Sequence, residues 1–109
     1  MQIDELNFYT KLFDTYGKLL SAKQFEVMDK LLNYNLGESE LAELESGSRQ
    51  AVHDAVSKAK KQLLDFESKC GIVASKEDVK SKLLDVKVFL EKSDYKNVID
   101  EINDILESL

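Results

Sequence analysis

Apolar residues recur every three or four positions along most of the chain, which is the spacing of one face of an α-helix. Polar and apolar residues nowhere alternate as strictly as a half-buried strand requires, and no proline interrupts the helical spacing. No internal repeat or low-complexity linker separates the apolar segments. The pattern therefore predicts an all-α fold, a small helical bundle in which residues 1–109 form a single domain.

Local sequence signals divide the first part of the chain into helices. The first helix is predicted over Asp4–Leu20 and the second over Ala22–Tyr34. Between them, Ser21 and Gln24 have the spacing of a capping box, in which the hydroxyl and the amide oxygen accept hydrogen bonds from backbone N–H groups at a helix start.

Two further helices form a helix-turn-helix predicted at about residues 36–69. Ser39 is expected to cap a short helix that ends near Glu45, and the following "SGS" is expected to form a tight connection. A long helix then begins at Arg49, and Gly71 can end it in the left-handed conformation. The residues of its predicted apolar stripe are Val52, Ala55, Val56, Ala59, Leu63 and Phe66.

A C-terminal helical extension is predicted at about residues 72–109. Ser75 and Asp78 have the spacing of another helix cap, and the final helix is expected to start near Asp94. That helix carries a rich apolar stripe, which either packs within the chain or joins two copies in a homodimer. The residues assigned to this partner or dimer interface are Tyr95, Val98, Ile102, Ile105 and Leu109.

The outer face of the long helix carries the candidate chemistry. The second helix of a helix-turn-helix enters the major groove with its N-terminal residues near the base edges. Arginine suits guanine, glutamine suits adenine, and lysines or a serine at the helix start suit phosphates. The predicted nucleic-acid-binding residues are Ser48, Arg49, Gln50, His53, Ser57, Lys58, Lys60 and Lys61. An amphipathic helix with a basic outer face is also typical of a solvated surface, and that alternative stays open.

Charge and composition limit the function classes. The net charge is -6, yet residues 48–69 contain one arginine and four lysines against three acids, so a weakly positive segment lies between acidic flanks. A single cysteine excludes a disulfide within one chain, and the acidic start "MQIDELNFY" is unlike a secretory signal. We therefore expect a soluble, cytoplasmic protein with no membrane insertion. No enzyme signature or metal-ligand spacing is evident, so neither catalysis nor a cofactor is expected.

Several of these segments resemble one known family. In the YlxM-like bacterial proteins associated with the signal recognition particle, "LFDFYG.LLT.KQ" is followed by "YSLGEIA" and "VSRQAVYD". The corresponding pieces here are Leu12–Gly17, Leu19–Gln24, Tyr34–Glu38 and Ser48–Asp54, in the same order along the chain. The likeness covers roughly residues 6–70. It implies a fold like region 4 of sigma factors, a role beside the targeting GTPase of the particle, and DNA binding by the helix-turn-helix.

The chain departs from the family pattern at the turn. Ser39 and Glu40 are extra residues, and Glu45 and Gly47 replace apolar residues before the second helix. We expect this carboxylate and glycine to loosen the turn unless Leu44 takes over the apolar contact. In addition, His53 stands where tyrosine is usual, and the first helix of the pair is acidic where it would approach phosphates.

Two functions follow from these observations. The first is a non-enzymatic regulator of the signal recognition particle pathway that binds DNA through its helix-turn-helix. The second is an accessory factor without DNA binding, whose partner is the particle's GTPase or its RNA. Acidic flanks and the apolar stripe of the last helix favour the second function, because they suit a basic partner and an apolar contact.

Overall fold

The computed structural model describes residues 1–45 and 47–109, so Ser46 of the predicted "SGS" connection lies outside the described residues. The α-helices are α1 (Ile3–Tyr16), α2 (Ala22–Asn33), α3 (Glu38–Leu44), α4 (Arg49–Cys70), α5 (Ile72–Glu91) and α6 (Tyr95–Ser108). The predicted all-α fold is confirmed. Contacts group the helices into two compact units, Met1–Gly71 and Ile72–Leu109. That all of them form one domain stays a prediction.

Helix α4 is the centre of the first unit, since α1, α2 and α3 each pack against it. The buried residues of α4 are Val52, Val56, Ala59 and Leu63, four of the six that the sequence assigned to its apolar stripe. Leu12, Val27, Met28 and Leu41 from the other three helices are fully buried. This core holds one side of α4 in place and leaves the opposite side exposed to solvent.

Three helix ends follow their predicted signals. The Ser21 hydroxyl accepts a hydrogen bond from the Gln24 amide at 3.2 Å, and the Gln24 side-chain oxygen accepts one from the Ser21 N–H at 3.3 Å, which completes a capping box. Gly71 ends α4 with φ of 62°, a left-handed conformation that glycine adopts without steric cost. Asp94 caps α6 by accepting a hydrogen bond from the Asn97 amide.

Two boundaries in the first unit differ from the prediction. Helix α1 ends at Tyr16, and not at Leu20, because the chain tightens into a short 3-10 turn that leads Leu20 into the core. Ser39 does not cap α3, because Gly37 already occupies the cap position in an extended conformation and the helix starts at Glu38. Glycine is among the residues that this position tolerates.

The start of α5 also differs from the prediction. Ser75 and Asp78 do not open the helix, which begins at Ile72. A single left-handed residue, Gly71, suffices to end α4, and the chain returns to helical geometry at the next position. No loop therefore remains for Ser75 to cap.

Glu45 attaches the turn of the helix-turn-helix to α2. Its carboxylate accepts hydrogen bonds from the ammonium groups of Lys23 and Lys30, the second at 3.2 Å, and its side chain is only 8% exposed. Leu44 is 66% exposed and so does not take over an apolar contact at the turn. Two lysines of α2 thus bind Glu45, and the expectation that this residue loosens the turn stays a prediction.

The same contacts shift the pKa values of the groups involved. Hydrogen bonds from Lys23 and then Lys30 hold the pKa of Glu45 below its ordinary value, although partial burial acts in the opposite direction. Hydrogen bonds to Glu26 and then to Glu45 raise the pKa of Lys30. Glu45 therefore stays ionised in the folded protein at pH values where the carboxyl group of an unfolded chain begins to take up protons.

The second unit is an antiparallel hairpin of α5 and α6. Val98 and Ile105 of α6 are buried within it. Lys82 of α5 donates to Asp104 of α6 at 2.8 Å and to Asp78 at 3.0 Å, and the hydrogen bonds to these two carboxylates raise the pKa of Lys82. The hairpin is thus stabilised by the burial of Val98 and Ile105 and by the ion pair that Lys82 of α5 forms with Asp104 of α6.

The hairpin divides the residues that the sequence assigned to a partner interface. Val98 and Ile105 lie inside it, whereas Tyr95, Ile102 and Leu109 are exposed.

Among the described residues, no helix has the length and apolar content needed to cross a membrane.

The core around α4 predicts a large difference between two neighbouring leucines. Leu63 is fully buried and Leu64 is 40% exposed. We expect Leu63→Ala to lower the free energy of unfolding by about 2–5 kcal/mol, because it removes buried methyl groups and leaves a cavity. Leu64→Ala serves as the matched control and should cost far less. Urea denaturation of both variants measures the difference, and equal losses would contradict this packing of α4.

The contacts of Glu45 predict a pH-dependent loss of stability. Because its pKa is lower in the folded than in the unfolded chain, the ionised carboxylate stabilises the fold above the unfolded pKa, and this contribution is lost as pH falls through the folded pKa. Glu45→Gln should therefore lower the free energy of unfolding near neutral pH, and its difference from wild type should shrink as pH falls to about 3.

Urea denaturation at a series of pH values tests this prediction. Glu43→Gln is the matched control, since Glu43 is an exposed residue of α3 only two positions before Glu45. A difference between Glu45→Gln and wild type that stays constant across the pH range would argue against ion pairing of Glu45 as its cause.

Candidate nucleic-acid interface

The first turn of α4 is fixed by its cap and by its packing against α3. The Ser48 hydroxyl oxygen accepts a hydrogen bond from the Ala51 amide at 3.0 Å, and the Ser48 carbonyl accepts one from the Val52 amide at 3.2 Å. Helix α3 packs against α4 and α2, with Leu41 and Ala42 buried. In both bonds Ser48 acts as the acceptor. Its hydroxyl group can therefore still donate a hydrogen bond to an oxygen such as that of a phosphate.

Polar side chains form two adjacent rows on the outer side of the first half of α4. Residues four positions apart lie on one side of a helix with 3.6 residues per turn. One row is Arg49, His53, Ser57 and Lys61, and the other is Gln50, Asp54 and Lys58. All seven are exposed except Ser57, which is half-buried. Together with Ser48, these rows bring together seven of the eight residues that the sequence assigned to nucleic-acid binding.

Lys60 lies apart from the other predicted residues. Its ammonium group is 3.4 Å from a carboxylate oxygen of Glu5 and 5.0 Å from the centre of the Tyr9 ring, so it faces α1. The sequence contains a signal for this placement. Lys60 follows Val56 by four residues and precedes Leu63 by three, and both of these residues are buried.

Two of the predicted base-contacting side chains already bond to carboxylates. The Gln50 amide donates to Asp54 at 2.9 Å, and Nδ1 of His53 is 2.9 Å from a carboxylate oxygen of Glu38. The first contact joins residues four apart on one helix and could be predicted from the sequence. The second joins α3 to α4, and no local pattern reveals it. The contact with Glu38 links the start of α3 to the second turn of α4.

Three cations of this surface have no carboxylate bound to them. The side chains of Arg49, Lys58 and Lys61 form no hydrogen bond or ion pair with any residue in the described part of the chain. They span about three turns of α4, roughly 18 Å along the helix axis. Exposed and unpaired ammonium and guanidinium groups on one helix are the side chains that neutralise phosphates in protein complexes with nucleic acids.

Acidic side chains of α3 lie beside this surface. Glu40 and Glu43 are exposed, Glu38 is half-buried, and Asp54 stands among the cations of α4. The first helix of a helix-turn-helix crosses the DNA backbone when the second enters the groove, so these carboxylates would meet phosphates of like charge. The surface is therefore mixed in charge and not strongly basic.

Comparisons with known proteins agree with this architecture. The chain matches the model of the UPF0122 family, described as helix-turn-helix proteins like YlxM and p13, over residues 3–105. A UPF0122 protein of Clostridium acetobutylicum is 34% identical, with 97% of each chain covered. One from a Thermoanaerobacter species is 36% identical, covering 97% of this chain and 91% of the relative. No solved structure matches the chain. As the resemblance in its sequence predicted, the chain belongs to the YlxM/p13-like family of helix-turn-helix proteins.

Proposed function

We propose that this protein is a non-enzymatic regulator that binds duplex DNA through the outer side of α4. One observation carries the proposal: Arg49, Lys58 and Lys61 are exposed, and their side chains have no partner among residues 1–45 and 47–109, on a helix whose opposite side is fixed in the core. A helix held in this way presents its polar rows without further folding, so the loss of conformational entropy on binding is small.

The N-terminal half of α4 would supply both phosphate and base contacts. Ser48 and the exposed N–H groups of the first turn suit a phosphate, and Lys58 and Lys61 suit phosphates further along the backbone. Arg49 can donate two hydrogen bonds to guanine. Gln50 can contact adenine, because its side-chain amide can both donate a hydrogen bond to that base and accept one from it.

Contact with adenine requires Gln50 to release Asp54. An exposed hydrogen bond contributes about 0.5–1.5 kcal/mol, whereas a bidentate contact to the correct base adds about 1–3 kcal/mol of discrimination. The exchange is thus favourable or neutral for adenine and unfavourable for bases that cannot pair with the amide. Gln50 therefore contributes sequence preference more than affinity.

His53 has a different role in this proposal. Its contact with Glu38 links α3 to α4, and it lies in the row next to Arg49. A ring that fixes the two helices relative to one another maintains the angle at which α4 enters a groove. His53 thus positions the base-contacting residues.

The acidic surface of α3 favours a second candidate function, an accessory role in the signal recognition particle pathway without DNA binding. Glu38, Glu40 and Glu43 would attract a basic protein surface and repel phosphates. The same repulsion applies to RNA, so in this case the particle's targeting GTPase is the expected partner rather than its RNA.

The unpaired cations predict which substitutions abolish DNA binding. Arg49→Ala with Lys61→Ala should abolish binding to duplex DNA and leave helicity unchanged, because both residues are exposed and outside the core. Where weak binding persists, the slope of log affinity against log salt should fall by about 1, because Lys61 no longer neutralises a phosphate, whereas Arg49 contacts a base. Fluorescence anisotropy at two salt concentrations measures both quantities.

A control variant distinguishes the loss of these two side chains of α4 from a change in the net charge of the protein. Lys76→Ala with Lys80→Ala removes the same charge from exposed positions of α5 and should leave binding intact. Unchanged binding in the Arg49 and Lys61 variant would exclude the proposed surface. Binding to the targeting GTPase but not to DNA would support the accessory function in its place.

A further inference from the structure

The hairpin of α5 and α6 leaves an apolar surface uncovered. Val98 and Ile105 are buried against α5, but α6 carries further apolar residues beside them that are 41–84% exposed. These exposed residues, called the α6 stripe below, are Tyr95, Ile99, Ile102 and Leu106, together with Leu109 directly after the helix. More than half of the apolar residues of α6 therefore lack a partner within the hairpin.

The spacing of the α6 stripe is that of a helix-packing surface. Its members are separated by four, three, four and three residues, the repeat that keeps apolar side chains on one seam between packed helices. Exposed apolar residues scattered over a surface need no explanation, but a continuous stripe at this spacing indicates that a further helix packs there.

Helix α5 extends the same surface. Val79, Leu83, Val86 and Leu90 also follow one another by four, three and four residues. Leu83 is 52% exposed and Leu90 is 49% exposed, while the two valines are half-buried by the hairpin contact.

The exposed stripes of the two helices lie on the same side of the hairpin. In α5, Leu83 and Leu90 each follow a half-buried valine by four residues, and in α6, Ile102 and Leu109 each follow a buried residue by four. Each exposed stripe is therefore rotated in the same sense from the inner contact. Because the helices run in opposite directions, this common rotation brings both stripes to one face, called the hairpin face below.

We propose that the hairpin face joins two copies of this chain into a dimer, in which the two hairpins form a four-helix bundle. The hairpin spans only Ile72–Leu109, and units of fewer than about 40 residues are rarely stable without further support. A second hairpin supplies that support, because four amphipathic helices around one core are a stable arrangement.

The size of the hairpin face fits such a dimer. Its exposed members are seven large side chains, between 41% and 84% exposed: Leu83, Leu90 and the five residues of the α6 stripe. Together they present on the order of 700 Å² per copy, close to the roughly 800 Å² per partner of a standard protein interface.

The arrangement of the α6 stripe favours a second copy over an unrelated partner. The stripe is nearly symmetric about Ile102, with Tyr95 seven residues before it and Leu109 seven residues after it. Two α6 helices that cross antiparallel at Ile102 would therefore place Tyr95 of each copy opposite Leu109 of the other, the reciprocal contact that a twofold interface requires.

Dimerisation does not depend on DNA binding and is measured without DNA. Sedimentation equilibrium of the full chain should give twice the chain mass of 12.4 kDa at micromolar concentrations. Ile99→Glu with Leu106→Glu should give a monomer. Leu84→Glu with Val88→Glu is the matched control, because these exposed apolar residues lie on the other side of α5, and it should remain a dimer.

Cross-linking tests the same face if the glutamate variant fails to fold. With Cys70→Ser removing the native thiol, Ile102→Cys should form a covalent dimer on oxidation, and Asp100→Cys, on another side of α6, should not. A monomeric wild type, a dimer that survives the Ile99 and Leu106 substitutions, or equal cross-linking at both positions would overturn the proposal.

Discussion

The burial of one side of α4 is the constraint on which the first unit depends. Val52, Val56, Ala59 and Leu63 pack where three other helices meet, and this contact fixes both the position of α4 and its rotation about its own axis. A rotation by one residue would expose these side chains to water and bury charged ones, at a cost of several kcal/mol. The two outer polar rows are therefore a consequence of core packing.

Local sequence signals predicted the parts of the fold that depend on neighbouring residues. The capping box at Ser21, the left-handed Gly71 and the apolar spacing of α4 each follow from interactions within one or two turns. By contrast, the contacts of Glu45 with α2 and of His53 with Glu38 join residues at least 15 positions apart, and the sequence gives no indication of them. Lys60 is a different case, because its spacing from the buried Val56 and Leu63 already indicates that it lies beside the core and not on the outer side of α4.

The candidate interface carries both positive and negative charges. Arg49, Lys58 and Lys61 are free to meet phosphates, yet the carboxylates of Asp54 and α3 lie nearby. Such a mixture lowers nonspecific affinity, which depends on charge alone, more than it lowers binding at a site where base contacts contribute as well. Any DNA binding by this protein should therefore be selective and modest in affinity, and two copies joined through their hairpins would strengthen it by engaging two sites at once.

NMR mapping of the duplex-DNA contact on the isotopically labelled full chain tests the role of α4 most directly, because it reports every amide separately. We expect chemical-shift changes to concentrate in the N-terminal half of α4, from Ser48 to Lys61, and to be weak along α1 and α6. Changes confined to α3 or to the hairpin, or none at all at DNA concentrations where binding is detected by other means, would contradict the claim that α4 forms the nucleic-acid interface.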